Sequence, residues 1–324
     1  MVWLKRQLEQ GALSLLSGGG HRAPAILIYH RVLPQQDRIF PLEVHRAQFD
    51  SQLAWLKSRF NVLPLLEAVQ LAAAGRLPPR SACITFDDGY ADNAEVALPV
   101  LQKHGLHATF FIATGFLDGG RMWNDTVIEA VRRAPGEWLD ASALGLGRHA
   151  VGSWEQRRQA IGALIRQLKY LPMAQRLEQV QQVAQLVGTE LPRDLMMSTA
   201  QLRKLHAAGM GIGGHTVNHP ILARLEAAAA RQEIAEGKAA LEAALDAPVR
   251  VFAYPNGKPG EDYLPEHVAM VRELGFDAAV TTSWGVSRGA ADWYQLPRFT
   301  PWDQGITKFG LRMARNMLQP AVRV

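Results

Sequence analysis

Cysteine is almost absent from this sequence. Cys83 is the single cysteine of the chain, so no disulfide can form within it. Because Cys83 lies within an apolar run of strand length, we expect a buried, unreactive thiol, which suits a reducing compartment. Long apolar runs are absent as well, since no stretch approaches the roughly 18 consecutive apolar residues that a transmembrane helix needs. The sequence therefore indicates neither a disulfide-stabilised domain nor a membrane-spanning protein.

Dense runs of basic residues are also lacking. The chain has a formal net charge of +5 and a pI of about 9.5. Its Lys and Arg residues do not form a basic stretch interleaved with aromatics, so we expect no nucleic-acid partner. The mild basic bias suits anionic glycans or lipid head groups. With 324 residues, 48% of them hydrophobic and 20% charged, the composition is that of a globular protein with a sizeable core.

The two ends of the chain have amphipathic character. Charged and polar residues interrupt the apolar residues of 1–16, so we expect no secretory signal there. Residues 1–20 are instead predicted to be an N-terminal extension with an amphipathic helix. The segment from Phe309 to Leu318 mixes apolar and basic residues in the same way. Two interpretations are open: both helices pack on the folded domain, or both make peripheral contact with an anionic membrane surface.

Strand-like and helix-like segments alternate through most of residues 21–324, which we interpret as one domain. Apolar runs of strand length occur at Ala25–His30, Phe60–Pro64, Ala82–Phe86, His107–Ile112, Met210–Gly214, Val249–Tyr254 and Asp277–Thr281, and a last short strand is expected at Tyr294–Phe299. Segments of helical period separate them. This alternation is typical of a parallel α/β sheet.

Residues from about 122 to 198 interrupt the alternation. The stretch lacks strand-like runs and has helical periodicity at Trp154–Lys169 and Met173–Val187. We therefore expect a helical insertion in one loop of the sheet. Insertions at the carboxyl ends of barrel strands lie over the active face, so this one is expected to shape a substrate groove.

Two acidic residues, Asp87 and Asp88, directly follow the apolar run that ends at Phe86. Adjacent carboxylates at the end of a buried strand raise each other's pKa unless a cation neutralises them. His215 and His219 have the four-residue spacing that lets two imidazoles reach one metal ion. Asp-Asp-Gly alone is usually a turn, and His-x-x-x-His alone is a weak signal. Together, and each after a predicted strand, they indicate a metal site.

Polar residues follow the carboxyl ends of separate predicted strands. They are His30, Asp87, Asp88, His215, Asn256 and Arg298. Since the carboxyl ends of parallel strands converge on one face of a barrel, we expect these side chains to meet there. One carboxylate and two neutral imidazoles suit a divalent ion of the zinc type, and a second carboxylate can act as a general base. Spacing alone leaves open which Asp has which role.

Thr85–Gly89 and His215–His219 resemble, in this order, the first two motifs of the polysaccharide deacetylases, carbohydrate esterase family 4. The resemblance extends from about Ile26 to Arg298. It implies an α/β fold, a distorted (β/α)7–8 TIM-like barrel, and metal-dependent removal of acetyl groups from sugars.

The resemblance also assigns roles to individual residues. It implies that the metal, zinc or alternatively Co, Ni, Mn or Fe, is bound by Asp88, His215 and His219. It further implies that Asp87 is the general base and that the backbone N–H of Asn256 stabilises the oxyanion.

The sequence departs from the family pattern at two places. The Ala253–Gly257 motif normally begins with an arginine that orients the base, and an alanine stands there instead. Arg298 is the candidate substitute, with a surface charge as the alternative. The late Leu-x-His motif, which supplies the acid for the leaving amine, is missing from the C-terminal part of the chain. His30 is the candidate acid or a support for the base, and the alternative is a hydrogen-bonded core histidine.

Two aromatic residues are candidate substrate contacts. Trp123 stands at the start of the insertion, and Tyr254 lies within the third motif. Either side chain could contact a sugar ring; ordinary packing is the alternative for Trp123.

Together these features predict a metal-dependent N-deacetylase of exopolysaccharide biosynthesis. We expect it to act on an amino sugar of a polysaccharide or of a lipid-linked glycan precursor, in the cytoplasm and in contact with the membrane. Two alternatives are open: an amidohydrolase of a small non-sugar amide, and a non-catalytic glycan-binding protein on the same fold. A groove with exposed aromatics favours sugar, whereas a closed small pocket favours the small amide.

Overall fold

A computed structural model describes residues 23–287 and 291–324 of the chain. The predicted N-terminal extension over residues 1–20, with its amphipathic helix, lies outside the described residues. The described chain is built around a large parallel sheet with helices on its outer side.

Seven strands form the parallel sheet, and two more form a separate hairpin. In chain order the strands are β1 (Ala25–Tyr29), β2 (Asn61–Val62), β3 (Ser81–Phe86), β4 (Thr109–Ile112), β5 (Trp138–Ala141), β6 (Gly147–Ala150), β7 (Gly211–Gly214), β8 (Val251–Ala253) and β9 (Ala278–Val280). Neighbours in the large sheet follow the order β1–β3–β4–β7–β8–β9, and β2 pairs with the start of β3. Every residue of β1, β3 and β4 is buried, as expected for parallel strands that are covered on both faces.

The sheet closes into a barrel through the segment 296–299. Leu296 pairs with Val280 of β9, and Phe299 pairs with Leu27 of β1, both in parallel. Pro297 lies between these bridges and has no N–H to donate, so the strand expected here is reduced to two isolated bridges. The predicted distorted (β/α) barrel is therefore confirmed, with an interrupted strand at its closing position.

Helices connect the strands and cover the barrel. In chain order they are α1 (Arg46–Arg59), α2 (Leu65–Ala73), α3 (Leu98–His104), α4 (Trp123–Arg133), α5 (Trp154–Leu168), α6 (Met173–Val187), α7 (Thr199–Ala207), α8 (Ala227–Leu245), α9 (Pro265–Glu273) and α10 (Ile306–Asn316). Between β3 and β4 the helical segment 91–104 contains a π-helical turn at Asn93–Ala97. Pro99 accounts for this turn, because it cannot donate an N–H to the Glu95 carbonyl, and regular helix resumes at Leu98.

The segment 122–198 forms an apolar cluster of its own beside the barrel. Its helices α4, α5 and α6 pack around buried residues that include Val127, Leu164 and Val183. The helices predicted at Trp154–Lys169 and Met173–Val187 are present as α5 and α6. The expectation that this segment lacks strands is wrong, because β5 and β6 pair as an antiparallel hairpin. Each of these strands has four residues, too few for a period of two to be recognised in the sequence.

The C-terminal helix packs on the barrel. Phe309 and Met313 of α10, and Met317 just after it, are buried in the main core. Leu311 and Leu318 are 68% and 55% exposed. One face of this segment therefore packs on the barrel, and contact of its exposed face with a membrane surface stays a prediction. Among residues 23–287 and 291–324, no helix has both the length and the apolar character that crossing a bilayer requires.

Candidate active site

Asp87 and Asp88 directly follow β3 at the carboxyl end of the barrel. Asp88 and Gly89 have positive φ angles of 75° and 90°, a left-handed conformation that glycine adopts freely and that Asp tolerates better than most residues. The resulting turn leaves both carboxylates in the interior, with Asp87 2% and Asp88 6% exposed. The local Asp-Asp-Gly sequence thus buries two adjacent acids.

His215 and His219 belong to a tight turn that follows β7. Thr216 and His219 have positive φ angles of 66° and 51°, and the Thr216 hydroxyl accepts a hydrogen bond from the His219 N–H at 3.1 Å. The turn sets the two imidazole rings 4.7 Å apart between centroids. The turn between His215 and His219 therefore reverses the chain, so that both imidazole rings face one point.

Asp88 meets the two imidazoles with a geometry that fits a metal ion. Its Oδ1 lies 3.4 Å from His215 Nε2 and 3.5 Å from His219 Nε2. One ligand atom from each of the three residues lies within 4.8 Å of the others. Two ligand atoms about 2.1 Å from one ion at the tetrahedral angle are about 3.4 Å apart, so a zinc-type ion fits between these atoms.

Hydrogen bonding around the same atoms supports the fit. Asp88 Oδ1 is buried and has no hydrogen-bond partner among the described residues, an arrangement that a bound cation explains. His215 Nδ1 lies 2.7 Å from the Ala253 carbonyl oxygen. That carbonyl can only accept, so Nδ1 carries the proton and Nε2 is left free to bind a metal.

The charges of the three groups also indicate a place for a cation. Burial raises the pKa of Asp88, but the neighbouring His215 and His219 outweigh it and hold that pKa well below its usual range. Burial lowers the pKa of His219 to about 4, so this imidazole is neutral at pH 7. Burial also lowers the pKa of His215, but Asp88 and Asp87 outweigh that effect and raise it above its ordinary value. Two carboxylates therefore attract positive charge to the point that the imidazoles face.

Arg298 reaches Asp87 from the segment that closes the barrel. Its Nη1 and Nη2 donate to the two carboxylate oxygens of Asp87, each at 2.6 Å. Nε donates to the Thr281 carbonyl at 2.8 Å, and the whole side chain is buried. Burial raises the pKa of Asp87, but Arg298 outweighs it and lowers the pKa below its usual value. Asp87 is therefore an ionised carboxylate at neutral pH, and the surface-charge alternative for Arg298 is wrong.

A cavity of about 470 Å³ opens over these groups, and His30 and Asn256 belong to its wall with Asp87 and Asp88. His30 is exposed, so the alternative of a hydrogen-bonded core histidine is wrong. Asn256 has a φ of 57°, and its backbone N–H has no acceptor among the described residues. Both residues are therefore available to a molecule in the cavity.

The two aromatic candidates differ. Trp123, at the start of α4, is half-buried and lines the cavity. Tyr254 is fully buried, stacks on Tyr263 at 4.0 Å between ring centroids, and donates its hydroxyl to the Tyr294 carbonyl. The prediction that Tyr254 contacts the substrate is wrong, because its side chain points from the end of β8 into the core.

Two acidic residues near the site, Glu233 and Asp125, are not among those that the sequence predicts. Glu233 of α8 accepts the N–H groups of Val217 and Asn218 at 3.0 and 2.8 Å and so holds the histidine turn from outside. Asp125 is a buried carboxyl in the cavity wall, and the Tyr90 hydroxyl donates to it at 3.1 Å. The sequence signal for Glu233 is its helical spacing from the buried Ala230 and Gly237, which lie on the same side of α8. Asp125, shortly after Trp123, belongs to none of the motifs.

Comparison with known proteins adds independent information. A family model described as "Polysaccharide deacetylase" matches residues 74–139 and 167–279. The chain is 35% identical over 89 residues to the putative polysaccharide deacetylase YxkH of Bacillus subtilis, a match that covers 27% of this chain and 30% of that protein. It is 42% identical over 73 residues to the poly-beta-1,6-N-acetyl-D-glucosamine N-deacetylase of Staphylococcus aureus, covering 22% and 25%. The matches thus span about a quarter to a third of these relatives.

Solved structures with a similar fold cover nearly the whole chain. IcaB from Ammonifex degensii matches with a TM-score of 0.58 and 21% identity, over 94% of this chain and 99% of that one. The Streptococcus pyogenes deacetylase PplD, in complex with acetate, matches with a TM-score of 0.58 and 20% identity, over 87% and 92%. At this identity the likeness concerns the fold.

Proposed function

This chain belongs to the polysaccharide deacetylase family, and from that premise we propose that it is a metal-dependent N-deacetylase. It hydrolyses the N-acetyl group of an amino sugar in a polysaccharide or a lipid-linked glycan precursor. The observation that carries the proposal is the unpartnered Asp88 Oδ1 between two imidazole nitrogens, beside an ionised Asp87 that Arg298 holds.

The residues of the site divide the chemistry among them. A divalent ion held by Asp88, His215 and His219 would supply an activated water and polarise the acetamide carbonyl. Asp87 takes the proton of the attacking water on its carboxylate. The Asn256 N–H donates to the carbonyl oxygen as negative charge develops there.

Two other residues complete the proposed reaction. Arg298 keeps Asp87 ionised and fixes its orientation through the paired hydrogen bonds. His30, exposed in the cavity wall, gives a proton to the leaving amine nitrogen. A proton donor is required because an amine leaves as a neutral molecule, and no histidine of the late family motif is present to supply it.

The cavity supports a sugar over a small amide. The exposed Trp302 and the half-buried Trp123 line it, and flat aromatic faces suit the apolar face of a sugar ring. A second groove of about 280 Å³ adjoins it, and the two share Lys169, Arg176 and Ile221. Two adjoining spaces with exposed aromatic side chains suit a chain of sugars. One relative is named for poly-beta-1,6-N-acetyl-D-glucosamine, which supports an N-acetylated substrate.

Released acetate is the direct test. Protein reconstituted with zinc, and in parallel with Co, Ni, Mn or Fe, is incubated with N-acetylglucosamine oligomers and acetate is quantified. We expect acetate from wild type, a loss of about 10²–10⁴ in rate for Asp87→Asn, and little change for Asp194→Asn, an exposed control of the same type. The metal that gives the highest rate at one bound equivalent identifies the preferred ion.

Metal binding has its own readout in protein stability. A site that binds only in the folded state stabilises it by about 2.7 kcal/mol at a free metal concentration 100 times Kd. We expect this gain in wild type and its loss in Asp88→Asn. A protein that binds one equivalent of metal yet releases no acetate would contradict the proposed activity and favour the glycan-binding alternative.

A further inference from the structure

Arg176, near the start of α6, lies in the wall between the active-site cavity and the adjoining groove. It is 7% exposed. Nη1 donates to the Lys169 carbonyl at 3.0 Å, Nε is buried without a partner among the described residues, and the guanidinium lies 5.0 Å from the centroid of the Trp123 ring. Most of this charged side chain is therefore removed from water, and one hydrogen bond and one aromatic ring are the contacts that replace its hydration.

Other arginines around the active-site cavity are paired with carboxylates. Arg31 pairs with Asp92 at 2.7 Å. Arg132 pairs with Asp37 at 2.8 Å and with Glu129 at 3.1 Å. Arg298 has its paired contacts to Asp87.

Arg176 differs from them, because no carboxylate among the described residues forms an ion pair with it. Burial lowers the pKa of Arg176, and no neighbouring acid offsets this effect. A buried, unpaired charge is costly, and the cation–π contact with Trp123 supplies only part of the compensation. The missing counter-charge is therefore expected from a ligand.

The surroundings of Arg176 add further positive character. Lys169 and Arg224 line the same groove. The groove also contains Pro172 and Met173, where α6 begins. The first turn of α6 has no acidic residue, and Pro172 provides no side-chain cap, so the positive end of the helix dipole is also free to meet an anion.

We propose that Arg176, with Lys169 and Arg224, forms a subsite for an oxyanion carried by the glycan substrate. The anion is a phosphate or a uronate carboxylate on a unit next to the N-acetylated sugar. This inference rests on the proposed function, since it concerns the substrate of the same cavity. Arg176 and Lys169 belong to the insertion and Arg224 to the segment after β7, so the insertion supplies two of the three cations that select a charged glycan.

Binding to metal-free protein tests the subsite without catalysis. Titration calorimetry compares neutral N,N′-diacetylchitobiose with N-acetylglucosamine 1-phosphate and with a disaccharide of N-acetylglucosamine and glucuronate. We expect at least one charged sugar to bind wild type about tenfold more tightly than the neutral one. The tighter of the two charged sugars identifies the anion as phosphate or carboxylate.

Two variants locate the effect. In Arg176→Gln we expect the affinities for charged and neutral sugars to differ by no more than about twofold. Arg132→Gln changes a neutralised arginine of the same cavity and is expected to retain the wild-type preference for charged sugars. Equal affinities of wild type for charged and neutral sugars would overturn the subsite, and so would an unchanged preference in Arg176→Gln. The wild-type comparison needs no variant, so equal affinities overturn the subsite even if Arg176→Gln does not fold.

Acetate release separates this inference from the proposed function. If the metal-loaded wild type deacetylates neutral oligomers but shows no preference for charged sugars, the subsite is refuted and the deacetylase stands. If no acetate is released from any of the sugars but the preference for charged sugars is present and depends on Arg176, the activity is refuted and the anion site stands.

Discussion

Arg298 holds Asp87 through two parallel hydrogen bonds of 2.6 Å, although 211 positions separate the two residues in the chain. The family pattern places an arginine at the position of Ala253, at the end of β8. Here the guanidinium comes from the segment that closes the barrel between β9 and β1. Because the end of β8 and the closing segment face the same point, an arginine in either place can bring its guanidinium to the Asp87 carboxylate.

Loss of Arg298 alone should destabilise the protein more than loss of both Arg298 and the charge of Asp87. Arg298→Gln leaves a buried carboxylate without its cation, and we expect the free energy of unfolding to fall by about 3–5 kcal/mol. Adding Asp87→Asn in the same chain should recover part of that loss, because the unpaired charge is then gone. Urea unfolding of metal-free protein at pH 7 measures both. If the effects of the two substitutions simply add, the residues are not coupled as the contact indicates.

His30 can be tested by the demand of the leaving group for a proton. His30→Ala should lower kcat on an N-acetylated sugar by about 10²–10⁴. It should affect p-nitrophenyl acetate far less, because p-nitrophenolate leaves without protonation. Asp87→Asn serves as the comparison and should lower both rates, since both reactions need the attacking water. Equal losses on both substrates in His30→Ala would show that His30 supports the base instead of donating a proton.

Asp125 should make the stability of metal-free protein depend on pH. Burial, reinforced by Asp88, raises its pKa to about 7, against the opposing effects of Arg31 and the Tyr90 hydrogen bond. The folded state therefore binds a proton more tightly than the unfolded chain between about pH 4 and 7, so stability falls as the pH rises through that range. The difference between the folded and unfolded pKa of Asp125 corresponds to a change in the free energy of unfolding of at most roughly 4 kcal/mol.

Asp125→Asn removes this titration. Relative to wild type, the variant should gain free energy of unfolding at pH 8 and show little difference from it at pH 4. Urea midpoints at the two pH values check this, with the exposed Asp194→Asn as control. A constant difference between wild type and Asp125→Asn across the range would contradict a raised pKa.

Gly237 of α8 permits the close approach of this helix to the histidine turn. A Cβ at this position would lie 2.8 Å from the backbone C and O atoms of Thr216. Alanine normally stabilises a helix interior by roughly 0.5–1 kcal/mol relative to glycine. Here we expect Gly237→Ala to destabilise by roughly 1–3 kcal/mol and to weaken metal binding, because the turn between His215 and His219 must shift.

Gly162 of α5 is the matched control. There the nearest atom to an added Cβ is the tip of the flexible Arg166 side chain, at 3.2 Å. Gly162→Ala should therefore be neutral or stabilising in the same unfolding assay, with metal affinity unchanged. Equal destabilisation of both variants would contradict the inference that Gly237 is needed for the close approach of α8 to the histidine turn.

Features encoded within a few consecutive residues could be predicted from the sequence. The alternation of strands and helices, the bounds of α6, and the motifs that carry Asp87, Asp88, His215 and His219 are of this kind. Each depends on local periodicity or on a turn that the neighbouring residues impose. The convergence of these motifs at one end of the barrel followed from a general rule for parallel strands.

Other features depend on which segments become neighbours. The partner of Arg298, the support from Glu233, the burial of Tyr254 and the unpaired charge of Arg176 are set by contacts between distant parts of the chain. A side chain's sequence neighbours do not determine whether it faces a cavity, a core or a counter-charge. The sequence by itself thus determined the alternation of a parallel α/β sheet and the position of the acidic and histidine motifs, and the family resemblance implied the barrel. Tertiary packing decided how those groups are held, because burial and charge pairing exist only after the distant segments meet.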